Sequence, residues 1–218
     1  LTKRARVVVV SKERVKQDAI TYEDLADPKW KGKFCIRAGQ HPYNNALFAA
    51  YLAHHGAEKT ETYLKAVRAN AARKPGGGDR DVARDIQSGL CDIAIINTYY
   101  IGLMSEAKNE QKGWFDAIKP LKTTFANEGT HVNVSAAALA KNAPNKENAV
   151  KLVEYMLGEK AQHLYADGNF EYPVNADVKE AASVKLLGAL TPDTTPLGDV
   201  AKNRKAASEL VDKVGFDN

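Results

Sequence analysis

Residues 76–100 read GGGDRDVARDIQSGLCDIAIINTYY. The glycines make a turn, Asp79 caps a helix carrying Val82 and Ile86, and residues 91–96 form a strand that runs straight into Asn97, Thr98 and two consecutive tyrosines, Tyr99 and Tyr100. Neighbouring side chains point to opposite faces of a strand and diverge by about 100° on a helix. Two adjacent phenols therefore converge where a strand ends and the backbone turns.

Outward from this stretch, strands and helices alternate. Residues 6–11, with the run Val7, Val8, Val9, Val10, read as a fully buried strand, and KFCIRA, residues 33–38, as a second. Between the strands lie a short helix at residues 22–26, a helix at residues 44–53 with Leu47, Phe48, Tyr51 and Leu52 on one face, and another through Tyr63, Leu64 and Val67. This β-α-β order predicts an α/β fold with a parallel sheet and helices on both faces. After Lys108 the pattern changes to two extended pieces, the second alternating over residues 131–135. A helix pair at residues 145–157 and 159–167 follows, with Val153, Met156, Leu157 and Leu164 predicted to face inward. A turn-rich tail closes with a helix at residues 203–214.

The chain has 218 residues, 44% hydrophobic and 27% charged, which suits one large domain or two small ones. Lys and Arg number 31 against 27 Asp and Glu, giving only +4. These charges are scattered, so they read as solvated helix faces and not as a nucleic-acid stripe. No apolar run approaches the ~20 residues of a membrane span. The opening LTKRARVVVVS, without Met and with a strand almost at its first residue, suggests a processed or truncated chain.

Ligands of open α/β sheets sit outside the carboxyl ends of the strands. After FCIRA comes Gly39-Gln40-His41-Pro42-Tyr43-Asn44, with Pro42 and Asn44 suited to a helix start that attracts an anion. Tyr43, Tyr99 and Tyr100 thus share one mouth, or else are amphipathic tyrosines at a domain edge with wet hydroxyls. KPGGGDRD lacks the G-x-x-x-x-G-K-[ST] spacing of a nucleotide cradle. His54 and His55 read as helix-end surface residues and His131 as structural. Cys35 and Cys91 each lie near the start of a predicted strand; they form a disulfide if their Cα atoms lie within about 7 Å, or they are two small buried residues.

Several stretches together resemble the ferric-iron-binding periplasmic proteins, the substrate-binding components of bacterial ABC iron importers. They are LTKRARVVVV, LADPKWKGKFCIRAGQHPYNNALFAAYLAHHG, GGGDRDVARDIQSGLCDIAIINTYY, GTHVNVSAAALAKNAPNKENAVKLVEYMLGEKAQ and YPVN. The tyrosine pair after Asn97 is the most specific element. The resemblance implies a two-lobed periplasmic binding protein of the type II fold, with a complete C-terminal lobe and a partial N-terminal lobe. Residues 1–10 and 123–132 would be hinge strands. Residues 11–125 would form the first part of the C-terminal lobe, residues 126–171 the returning part of the N-terminal lobe, and residues 172–218 the end of the C-terminal lobe.

The same resemblance assigns Tyr99 and Tyr100 as paired Fe(III) ligands and Tyr43 as the extra tyrosine of an all-oxygen subgroup. Arg4 matches an arginine that holds an accompanying anion, and Asn97 and Asp79 match positions where other members place anion-contacting asparagines. A carboxylate at 79 repels an anion, which argues against phosphate and for carbonate or direct tyrosine closure. The chemistry agrees, because Fe(III) is a hard cation that favours anionic oxygen. Implied partners are a membrane permease and the missing part of the N-terminal lobe; without that part, the faces of Val132, Val134, Val153 and Leu157 would be left uncovered and drive self-association. The sequence leaves open another small anion or metal as ligand, a protein-docking patch, and an enzyme, although no acid/base or nucleophile spacing supports the last.

Overall fold

The computed structural model describes residues 1–126 and 128–218; Asn127, inside the second predicted hinge strand, lies outside the described residues. In chain order the elements are β1 (Thr2–Ser11), β2 (Ala19–Thr21), β3 (Phe34–Cys35), α1 (Pro42–Ala69), α2 (Asp79–Gln87), β4 (Ile93–Asn97), α3 (Thr98–Ser105), α4 (Gln111–Ala117), β5 (Ile118–Pro120), β6 (Lys122–Thr124), β7 (Val132–Ser135), α5 (Lys146–Leu157), α6 (Glu159–Asn169), β8 (Tyr172–Pro173), α7 (Ala182–Leu187) and α8 (Leu197–Lys213).

The long strand β1 organises the sheet, whose order is β3-β4-β1-β5 with β7 and β8 also paired to β1. Arg6 to Val10 pair with β4, from Arg6↔Asn97 to Val10↔Ile93, whereas Thr2 to Ala5 pair with β7, from Thr2↔Ser135 to Ala5↔Val132. The strand changes partner between Ala5 and Arg6. Two side chains secure that junction. The Tyr22 hydroxyl donates to the Arg6 carbonyl at 2.6 Å and accepts from the His131 N–H at 3.0 Å, and the Ala5 N–H donates to Thr98 Oγ1 at 3.2 Å.

The expected parallel sheet is corrected here: β1 runs antiparallel to β4, β5, β7 and β8, and among the described residues of this sheet only β3 and β4 pair as parallel strands. A continuous valine run signals burial on both faces, which a central antiparallel strand satisfies as well as a parallel one. Alternation then divides the core by face. Val8, Val10, Ile93 and Ile95 pack with Phe48, Leu64 and Phe216 on one side, while Val7, Val9, Ala94 and Ile96 pack with Val82, Ile86 and Met104 on the other.

Helix α1 joins the two predicted helices across a break at Gly56, whose φ of 76° is a left-handed value that glycine tolerates. His54 and His55 precede this break and are half-buried, not surface residues: His54 Nε2 meets Asp193 Oδ2 at 3.0 Å and His55 Nε2 meets Glu23 Oε1 at 2.7 Å. The predicted inward face of the α5–α6 pair also differs. Leu157 and Leu164 are exposed by 42% and 66%, and α5 carries no buried residue, because few elements of this chain lie against it.

Cys35 in β3 and Cys91, ahead of β4, have Cα atoms 5.9 Å apart and are joined as a disulfide. We expect a denaturing, non-reducing thiol titration to find no reactive thiol per chain. Two reactive thiols would rule the bridge out.

Candidate metal and anion site

The site forms where two connections leave the sheet at neighbouring points. β4 ends at Asn97 and the chain turns at once into α3, so Tyr99 and Tyr100 occupy the first helical turn, with ring centroids 4.3 Å apart. Tyr43 occupies the first turn of α1, directly after Pro42; its N–H donates to His41 Nδ1 at 3.3 Å. The hydroxyls of Tyr43 and Tyr99 are hydrogen-bonded at 3.1 Å. The three sequence-predicted tyrosines are therefore brought together, from two helix starts 56 residues apart along the chain.

A ring of cations backs the phenols. The guanidinium carbons of Arg37, Arg6 and Arg4 lie 5.1, 5.8 and 6.0 Å from the Tyr43 ring centroid. Arg4, Arg6, Tyr43, Asn97, His131 and Asn133 line a cavity of about 10 Å³, room for a single water-sized group. Arg4 donates to Ser135 Oγ at 3.0 Å and lies 3.7 Å from Glu171. Asn97 accepts from Arg6 Nη1 at 3.1 Å, while its own Nδ2 is buried without a partner among the described residues. An orphaned buried donor on a cavity wall fits an oxygen ligand there.

Asp79 differs from its predicted roles. It is the first residue of α2, not its cap; Gly78 precedes the helix and its N–H is taken by Asp81 Oδ2 at 2.6 Å. The Asp79 carboxylate instead accepts from Arg6 Nη1 at 2.9 Å, Arg37 Nη1 at 3.1 Å and the Asn97 N–H at 2.8 Å. With Arg6 Nη2 also donating to it at 3.4 Å, it is spent on these donors and does not line the cavity. Arg6, Arg37, His131 and Asn133 were missed as site residues. Period-two spacing in KRAR, which puts Arg4 and Arg6 on one side of a strand, is the signal that could have found Arg6.

Burial, then hydrogen bonds with Tyr100 and Tyr43, push the Tyr99 phenol well above its ordinary value of 10.0. It is neutral at pH 7, and a bound cation has to displace its proton. His131 is pulled down to about 4 by burial first and by Arg6 next. Its sign is that of a base held neutral in the fold, so its contribution is complete above about 6.5 and is lost as pH falls towards 4, in all about 3 kcal/mol. Urea unfolding at pH 7 and pH 4.5 should show a smaller acid loss for His131→Gln than for the parent. Equal losses would place the acid sensitivity elsewhere.

Over residues 1–188 the sequence matches the family described as bacterial extracellular solute-binding protein. The chain belongs to that family. Among curated relatives it is similar to Iron uptake protein A1 of Synechocystis sp., with 38% identity over 99% of this chain and 60% of the relative. Similarity extends to the Major ferric iron-binding protein of Neisseria gonorrhoeae, with 25% identity over 99% of this chain and 64% of the relative. The chain thus spans about 60% of the length of these curated relatives. Among solved structures, a Bordetella ferric binding protein superposes with a TM-score of 0.94 at 59% identity, covering 100% of this chain and 69% of that one. Ferric iron-binding protein A of Mannheimia haemolytica, in an open conformation, superposes with a TM-score of 0.93 at 48% identity and the same coverage. The likeness gives the chain the two-lobed type II fold of these family members over the portion it spans. Their family is one of solute-binding transport proteins, not an enzyme class.

Proposed function

We propose that this chain binds Fe(III) as cargo through the phenolate oxygens of Tyr43, Tyr99 and Tyr100, with an anion held near Arg4 and Asn97. The single observation that carries this reading is the meeting of three phenols beside a cavity walled by guanidiniums and an unpartnered amide. Hard anionic oxygen suits a small trivalent cation, and among the described residues no cluster of three or more His, Cys, Asp or Glu offers a rival metal site. The ferric and iron-uptake names of the relatives, and a Trichodesmium neighbour solved with iron and citrate, support the same cargo.

The change of partner in β1 at Ala5 and Arg6 serves as the hinge, with residues 11–125 and 172–218 as one lobe and residues 126–171 as part of the other. Delivery is to an ABC permease from the periplasm. Three phenolates neutralise the ion's charge, and each one formed releases a proton. Affinity therefore falls as pH falls, by roughly tenfold per pH unit for each phenol titrated this way. Titration with Fe(III) supplied as a soluble chelate should produce a visible phenolate-to-iron band that fades on acidification. A folded protein that stays colourless at pH 7 to 8 contradicts the proposal.

A further inference from the structure

The anion half of the site has a charge limit built into it. Arg6 and Arg37, whose side chains are 2% and 12% exposed, both point at Asp79, whose side chain is fully buried. Two guanidiniums facing one carboxylate leave a single positive charge. Arg4 adds none, because Glu171 lies 3.7 Å away as its counter-charge. Arg80 stands outside this group, exposed and 5.7 Å over the Tyr100 ring. His131 is neutral at pH 7 because burial and Arg6 hold its pKa near 4.

The donors left over are few and specific. Arg37 Nε and Asn97 Nδ2 are buried without partners among the described residues. The cavity beside Asn97, about 10 Å³ and walled by Tyr43, has room for one oxygen of an anion.

We propose that Asp79 is the specificity-determining residue of this anion subsite: by occupying Arg6 and Arg37 it restricts the site to a monoanion that presents one oxygen, such as bicarbonate or a carboxylate, and rejects dianions. Asp79 does so without touching the anion, through the direction in which it turns the two guanidinium forks. With Asp79→Asn, Arg6 lines the cavity without its counter-charge and Arg37, 5.1 Å from the Tyr43 ring centroid, stands uncompensated beside it, so a dianion becomes the matched ligand. The inference rests on the metal-and-anion reading above, but its test needs no iron, so failure of the tyrosines to colour and failure of the charge limit are separate results.

Thermal unfolding of the iron-free chain at pH 8 and constant ionic strength, in chloride, bicarbonate or sulfate, reads the preference directly. Bicarbonate but not sulfate should raise the parent's midpoint above the chloride control. Asp79→Asn should respond to sulfate, with an apparent affinity at least about tenfold tighter than the parent's, a difference of about 1.4 kcal/mol. Combining Asp79→Asn with Arg37→Gln returns the subsite to a single positive charge and should abolish the sulfate response. Identical anion responses in parent and Asp79→Asn overturn the proposal, as does a sulfate response that survives in the double variant. If Asp79→Asn is unfolded in chloride, refolding by sulfate, followed by far-UV circular dichroism, supports the charge limit and failure to refold counts against it. Arg37→Gln alone makes the subsite neutral and should remove the bicarbonate response; its retention also overturns the proposal.

Discussion

Iron-dependent colour is expected to vanish when Tyr99→Phe and Tyr100→Phe are combined. The double change removes two of three phenolate oxygens and leaves Tyr43 alone against a trivalent cation. Losing an outer partner of a metal ligand costs roughly 10- to 100-fold in affinity, so losing two ligands should exceed that. The fold should tolerate the change. Both rings keep their mutual packing at 4.3 Å, and the hydroxyls removed are in half-buried side chains at a helix start, where a hydrogen bond contributes about 1 kcal/mol. Each single variant should keep a weaker or shifted band. The check is a titration with chelated Fe(III), following visible absorbance and far-UV circular dichroism on the same samples. A folded double variant with the parent's band and affinity would show that the iron site lies elsewhere.

What could be read in the sequence follows from how local the signal was. The convergence of Tyr99 with Tyr100 depends on a strand ending at Asn97, and aliphatic residues giving way to polar ones mark that end. Tyr43 required only that two chain turns leave one sheet edge. Strand direction was illegible, because Val7 to Val10 are equally apolar whichever way their neighbours run. The role of Asp79 was hidden for another reason. Its partners are 73 and 42 residues away, and only the fold shows that they consume its lone pairs. The misreading of Leu157 and Leu164 has a third cause: helical periodicity reports a face that can be buried, not whether this chain supplies the cover. Val150, Leu152 and Tyr155 are exposed on α5 beside Leu157.

Arg6→Met should cause the largest loss of stability among single changes at the site. The Arg6 side chain is 2% exposed and every nitrogen has a partner: Nε donates to Asn44 Oδ1 at 2.9 Å, Nη1 to Asp79 Oδ2 at 2.9 Å and to Asn97 Oδ1 at 3.1 Å, and Nη2 to Asp79 Oδ1 at 3.4 Å and the Ile95 carbonyl at 3.5 Å. Methionine fills much of the same volume without donating anything. Asp79 then keeps Arg37 and the Asn97 N–H but loses its most buried counter-charge, while two side-chain amide oxygens go unpaired. Breaking a buried pair from one side costs about 3–5 kcal/mol, and at roughly 2–4 °C per kcal/mol for a chain of this size the midpoint should fall by about 10 °C. Arg6→Lys retains the charge without the fork and should fall between. If the cost arises from stranding Asp79, then Arg6→Met combined with Asp79→Leu must lose less than the two single changes added together. Strict additivity, or an Arg6→Met midpoint within about 2 °C of the parent's, would mean that this buried pair does not hold the junction of β1, β4 and α2. The tyrosine pair would then owe its placement to the backbone turn at Asn97 alone.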